Sequence, residues 1–172
     1  CQAPDSGNAE ILAHFGTSEQ KQTYLTPLLD GKIASCYSMT EPQAGSDPAE
    51  FTCIAKKDGN DWIINGEKWF ASHARFSEFL LVMVVTNPES PIHEGASILL
   101  VEKNNPGLEI IRNSAVGPYV EQGDGVHAYL RFTDCRVPAS NLLGEEGKGF
   151  LVAQTRLGGG RVHHAMRSVG VL

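Results

Sequence analysis

The rhythm of apolar and polar positions changes twice along this chain of 172 residues, dividing it into three zones. From Gly7 to Gly31, Ala9, Leu12, Ala13 and Phe15 recur near helical spacing, and Gly16 stands where a helix would end. Thr17 and Gln20 then match a capping box, in which hydroxyl and amide satisfy each other's unpaired backbone N–H groups. A second helix is therefore predicted, closing near Pro27 and Gly31. From Ile33 to about Phe132 the patterns are those of strands. Residues 51–57 and 62–69 are β-favouring runs, and residues 79–85 and 98–101 are continuous apolar runs suited to strands buried on both faces. Val126, Ala128, Leu130 and Phe132 alternate with His127, Tyr129 and Arg131, as a half-buried strand does. Asn65-Gly66 predicts a type I′ hairpin turn, whose two central residues both take positive φ. Turn-forming clusters at residues 87–91, 104–107 and 117–125 separate the runs. Short strands at such intervals predict a mainly β fold, an antiparallel sandwich or barrel, with helices at both chain ends. The third zone, Lys148 to Leu172, carries a helical apolar stripe of Phe150, Leu151, Gln154, Leu157, Val162, Met166 and Val169. Gly158-Gly159-Gly160 in its middle costs roughly 1 kcal/mol per glycine relative to alanine, so this helix needs tertiary support.

Composition narrows the function classes. With 41% hydrophobic and 20% charged residues the chain suits one sizeable core. A net charge of −6, with no basic cluster beyond Lys56-Lys57, argues against nucleic-acid or anionic-membrane partners. Any anionic ligand must then be captured by local devices. The longest apolar run, residues 79–85, is far short of a membrane span. Cys1, Cys36, Cys53 and Cys135 form no C-x-x-C and read as reduced, buried thiols rather than disulfides or metal ligands. The chain starts on Cys and stops on an apolar residue inside a helix-like stretch, so a section of a longer protein is expected.

Three motifs tempt and fail. Gly123-Asp124-Gly125-Val126-His127-Ala128 matches a dinucleotide fingerprint by letters, but that loop must open a helix and here it leads into a strand pattern. Gly144-Glu145-Glu146-Gly147-Lys148 lacks the spacing and the Ser/Thr of a P-loop. His163-His164 points two imidazoles to different helix faces, poor geometry for a metal.

One segment differs in kind. Tyr37-Ser38-Met39-Thr40-Glu41-Pro42-Gln43-Ala44-Gly45-Ser46-Asp47 follows a short β run and becomes a loop of Pro, Gly, Ser and Asp. Such a loop offers successive N–H groups and hydroxyls, a mould for carbonyls or a pyrophosphate; on its chemistry alone a structural turn serves equally well. The order of letters resembles the first signature of the acyl-CoA dehydrogenase family. Ile63-Ile64-Asn65-Gly66-Glu67-Lys68-Trp69-Phe70 is similar to the family's Ile-Asn-Gly-x-Lys hairpin. Arg136-Val137-Pro138-Ala139-Ser140-Asn141-Leu142-Leu143-Gly144, with Glu146-Gly147-Lys148-Gly149-Phe150, is similar to its exit into a C-terminal helical domain. Residues 156–164, Arg-Leu-Gly-Gly-Gly-Arg-Val-His-His, resemble one branch found in large multi-domain eukaryotic members and bacterial relatives.

The resemblance implies three parts: the end of an N-terminal helical domain at residues 1–31, a β middle domain at 32–140 and the start of a C-terminal helical domain at 141–172. It implies FAD as cofactor and α,β-dehydrogenation of an acyl-CoA thioester in fatty-acid β-oxidation. Tyr37, Met39 and Thr40 would line the flavin, and Ser46 the pyrophosphate and the substrate's pantetheine arm. Phe70, Ala71 and Ser72 would fill the family's second flavin contact, with an aromatic face and a hydroxyl toward N5. Gly158 and Arg161 would face the substrate, although many members carry Asp where Gly158 stands. No catalytic residue is assigned within the chain: the α-proton must go to a carboxylate, and the alternative base position is Gly160, so the base is expected beyond Leu172. The isolated chain should then not turn over substrate. An electron-transferring flavoprotein is the expected acceptor and a homodimer or homotetramer the expected assembly. The expected compartment is mitochondrial or peroxisomal in a eukaryote and cytoplasmic in a bacterium. An oxygen-using cousin (an acyl-CoA oxidase or nitroalkane oxidase) and a non-catalytic β scaffold are the competing readings.

Overall fold

The computed structural model describes residues 3–114 and 126–172. Cys1, the turn cluster at 117–125 and the glycines of the dinucleotide-like match lie outside the described residues.

Helix α1 (Asp5–Phe15) ends at Gly16, whose N–H donates to the Leu12 carbonyl. The capping box forms as its letters require: the Gln20 N–H donates to the Thr17 hydroxyl and the Thr17 N–H to the Gln20 side chain, each at 3.1 Å. It opens a helical segment of α2 (Ser18–Gln20), a π-helical turn (Lys21–Leu25) and α3 (Thr26–Leu29). Then come β1 (Ser35–Ser38), β2 (Ile54–Asp58), β3 (Asp61–Ser72), β4 (Phe79–Val85), the short α4 (Ile92–Gly95), β5 (Ala96–Glu102), β6 (Leu108–Ser114), β7 (His127–Pro138), β8 (Leu142–Leu143) and α5 (Gly149–Val171).

The strands form an eight-stranded sheet in the order β6-β7-β3-β2-β4-β5-β8, with β1 also on β4. Most pairings are antiparallel, as predicted. Two differ: β1 runs parallel to β4 from Ser35–Phe79 to Ser38–Val82, and β2 touches β4 in parallel at Ile54–Val85. Strand β4 explains the continuous apolar run. Leu80, Val82 and Val84 join a core with Trp62, Ile64, Leu130 and Phe132 inside the folded sheet. Phe79, Leu81 and Met83 point the other way, into a second core with Ile11 and Leu12 of α1, Leu28 of α3 and Val152 and Ala153 of α5. Buried on both faces, each such aliphatic side chain contributes roughly 1.5–3 kcal/mol on leaving water.

Asn65-Gly66 is not the hairpin turn. The β2–β3 turn is Gly59-Asn60, between the paired Asp58 and Asp61, with Gly59 at φ 62°, as a type II′ turn demands. Asn65-Gly66 lies inside β3, where the register against β7 shifts. Gly66 has φ 141°, and a Cβ there would lie 2.6 Å from the Cys53 Cα. The extra residue at this shift belongs to β7, and the glycine serves a close approach within the strand; its letters do not separate that from a turn. Strand β6 is an addition to the predicted elements. The α5 stripe is also only half used: Val152 and Ala153 are buried, whereas Val162, Met166 and Val169 are exposed, because no described element of this chain packs there. Among the described residues no helix is long and apolar enough to cross a membrane.

Candidate functional site

Two strand ends and one helix build the site. The chain leaves β1 through Met39-Thr40-Glu41, and β3 ends nearby at Ser72; the Trp69 N–H donates to the Thr40 carbonyl at 3.0 Å and joins the two. Beneath them lies a buried ion pair. Lys68, 0% exposed, donates to the Met39 carbonyl at 2.8 Å and to Glu41 Oε1 at 2.6 Å. Glu41, 1% exposed, also accepts from the Thr52 N–H at 2.6 Å, the Cys53 N–H at 3.1 Å and the Gln43 amide at 2.7 Å. Burial alone would raise the Glu41 carboxyl's pKa; the Lys68 ammonium and the other donors outweigh it and hold it below the usual carboxylate range. Burial pulls the Lys68 ammonium below its ordinary value, against the pull of Glu41. The pair thus clamps the loop to β3. Glu41, placed in the loop from the sequence, is a structural carboxylate. The missed signal was parity: Lys68 falls on the same alternate positions of β3 as the buried Trp62 and Ile64.

Between Lys68 and Ala71, β3 carries one residue more than β7 opposite it. The bulge sits at Phe70, whose φ of 54° is a costly backbone state for an aromatic residue, on the order of 1–3 kcal/mol. It swings the Phe70 ring outward, 51% exposed, against Trp69 at 4.4 Å between centroids. It also returns Ser72 to the ladder opposite His127, where Ser72 Oγ and His127 Nδ1 lie 2.9 Å apart.

A cavity of about 220 Å³ opens here, lined by Tyr37, Met39, Thr40, Phe70 and Ser72, together with Pro4, Trp69, Arg156 and Leu157. Five predicted cofactor contacts are thus brought together. Ala71 is 1% exposed and in the core, leaving only its backbone to contribute, and Ser46 is exposed on the loop and does not line the cavity. A larger cavity of about 600 Å³ shares Pro4, Arg156 and Leu157 with the first and includes Arg161, Gly159, Gly160 and Glu10. Gly158 lines neither. Among the described residues no carboxylate lines the smaller cavity, and Glu10 is the one carboxylate lining the larger.

Arg156 was not predicted. Its guanidinium lies 4.0 Å from the Tyr37 ring centroid, and its Nε donates to Asn8 Oδ1 at 2.8 Å. Asn8 donates in turn to the Ser35 hydroxyl, which donates to Asp5. The chain ties α5 to α1 and β1 across the whole sequence, a pairing no local pattern reports. Burial lowers the Arg156 pKa, opposed by Tyr37. Burial likewise pushes the Tyr37 phenol up to about 12, with Arg156 working against it. Tyr37 therefore stays a neutral aromatic surface beside the cavity.

An aromatic ring held outward by a strained backbone, beside serine and threonine hydroxyls, suits a flat ring with a polar edge. Thr40's hydroxyl has no hydrogen-bond partner among the described residues, so it is available to such an edge. A family model describing the middle domain of acyl-CoA dehydrogenase matches residues 36–135, spanning most of the sheet and the site loop. The chain belongs to the acyl-CoA dehydrogenase family. It is 47% identical over 99% of its length to "Probable acyl-CoA dehydrogenase FadE2" of Mycobacterium tuberculosis, covering 42% of that protein. It is 44% identical to acyl-CoA dehydrogenase family member 11 of Gallus gallus, over 99% of this chain and 22% of that one. Among solved structures, butyryl-CoA dehydrogenase from Megasphaera elsdenii superposes with a TM-score of 0.80 at 32% identity, over 90% of this chain and 39% of the other. The chain thus spans less than half the length of these relatives.

Proposed function

We propose that this chain carries the flavin-holding part of an enzyme that removes hydrogens from the α and β carbons of an acyl-CoA thioester, with FAD as cofactor. The observation behind this is the meeting of Tyr37, Met39 and Thr40 with Phe70 and Ser72 around one cavity. FAD, when bound, supplies the acceptor for the β-hydrogen. Tyr37 and Met39 offer backbone groups to the ring's pyrimidine edge. Thr40 places a hydroxyl there, where negative charge collects on reduction. Phe70 covers one edge of the ring and excludes water; Ser72 presents a hydroxyl near the reacting nitrogen. The larger cavity, with Arg161, takes the acyl thioester. Glu41 is locked by Lys68 and two backbone N–H groups and does not take the α-proton, which goes to a carboxylate outside the smaller cavity. The organisation in three parts, 1–31, 32–140 and 141–172, Ser46 at the pyrophosphate, an electron-transferring flavoprotein as acceptor and a homo-oligomeric assembly complete the reading.

Thr40→Val in the intact protein tests it. Loss of a hydrogen bond to a developing charge is worth about 1.5–3 kcal/mol, so flavin reduction or FAD retention should fall by roughly tenfold or more. Unchanged cofactor content together with unchanged reduction rate would refute the assignment. Slow reaction of the reduced flavin with oxygen would separate a dehydrogenase from its oxidase cousins.

A further inference from the structure

Ser72 lines the smaller cavity, whereas His127, its cross-strand partner, does not. The two are joined by the 2.9 Å contact between Ser72 Oγ and His127 Nδ1. The β3 bulge is what makes them opposite each other. Immediately beyond, His73 at φ 66° donates its N–H to the Val126 carbonyl at 2.6 Å, fixing the backbone on the far side of the pair.

A serine hydroxyl has a single proton, and a neutral imidazole has a single N–H. If that N–H is on Nδ1, His127 donates to Ser72, and the serine proton is free to point into the cavity. If it is on Nε2, Ser72 donates to His127 and shows the cavity only lone pairs. An oxidised flavin presents an acceptor nitrogen at its reacting position, and a reduced one presents an N–H. The two imidazole tautomers therefore favour opposite oxidation states of the cofactor.

We propose that His127 is a positioning residue that sets, through the direction of the Ser72 hydroxyl proton, the balance between oxidised and reduced flavin. This rests on the flavin reading of the cavity given above.

The experiment is a double-mutant cycle on the midpoint potential of bound FAD in the intact flavoprotein, using His127→Asn, His127→Phe, Ser72→Ala and the double variants. Each His127 variant is expected to hold FAD and shift the oxidised-to-reduced ratio about tenfold, equal to ~30 mV for a two-electron couple. The sign of the shift reports the tautomer. The shift should vanish in the Ser72→Ala background. A Ser72→Ala potential that moves while the His127 variants stay at the wild-type value would overturn the proposal. So would a His127 shift that persists without Ser72. If Ser72→Ala changes neither FAD content nor potential, the flavin assignment of Ser72 falls, and the proposal with it. Should the His127 variants shed FAD, the imidazole ¹⁵N shifts of native His127 decide: they should move in Ser72→Ala, and invariance would remove the contact itself.

Discussion

Replacing Lys68 by methionine keeps the unbranched stem of the side chain and removes the ammonium group with its charge and donors. Glu41 then retains the Thr52 and Cys53 N–H groups and the Gln43 amide but loses its counter-charge at 2.6 Å, and the Met39 carbonyl loses its donor at 2.8 Å. Both partners are shut away from water, so solvent cannot compensate. Breaking a buried pair by removing one partner costs about 3–5 kcal/mol. Glu41→Gln on top of Lys68→Met removes the orphaned charge and should recover part of that loss. Chemical denaturation of the intact protein measures both. The sign with pH also follows. In the native protein Glu41's carboxyl lies below its ordinary value, so it contributes stability above the unfolded pKa, lost as pH falls through the folded one. Without Lys68, burial dominates and the carboxyl protonates at higher pH. The penalty of Lys68→Met should therefore shrink on acidification through the carboxylate range, as Glu41 becomes neutral in the variant. FAD content should fall too, because the Met39–Thr40 backbone keeps only the Trp69 N–H bond of its two ties to β3. A Lys68→Met protein within about 1 kcal/mol of native, with no pH dependence of the difference, would refute the reasoning.

Further outcomes follow from the same geometry. Gly66→Ala should cost more than Gly59→Ala in denaturation: its Cβ meets the Cys53 backbone at 2.6 Å, whereas Gly59 faces open space and loses only about 1 kcal/mol to its positive φ. Arg156→Lys should not rescue Arg156→Ala in stability or FAD retention, because an ammonium cannot both stack flat on Tyr37 and keep the guanidinium's bond to Asn8. Cys36, Cys53 and Cys135 are buried, with burial pushing each thiol up to about 12, so a thiol reagent should modify them only as the protein unfolds. Rapid labelling of the native protein would contradict that burial.

Local signals proved legible where one segment suffices to satisfy them. The Thr17–Gln20 capping box closes within four residues, and the Phe79–Val85 run needs only apolar surroundings on both sides. The loop from Tyr37 to Asp47 was legible as a whole motif, because its order of residues is specific even where its single residues are not. Other features depended on partners far along the chain. Asn65-Gly66 stayed inside β3 because Cys53 passes against Gly66 and leaves no room for a side chain, while Gly59 was placed to make the turn. Lys68 found its carboxylate 27 residues away, and Arg156 its amide partner 148 residues away. Ser72 met His127 only because one extra residue in β3 shifted the register. By itself the sequence determined the β-rich class and the helices at the ends, since those follow from periodicity and short-range hydrogen bonding, and the order of residues from Tyr37 to Asp47 marked the family. The tertiary structure decided which charges are buried, which hydroxyls face the cavity and what holds them, because these depend on strand register and close packing, which residues distant in sequence fix together.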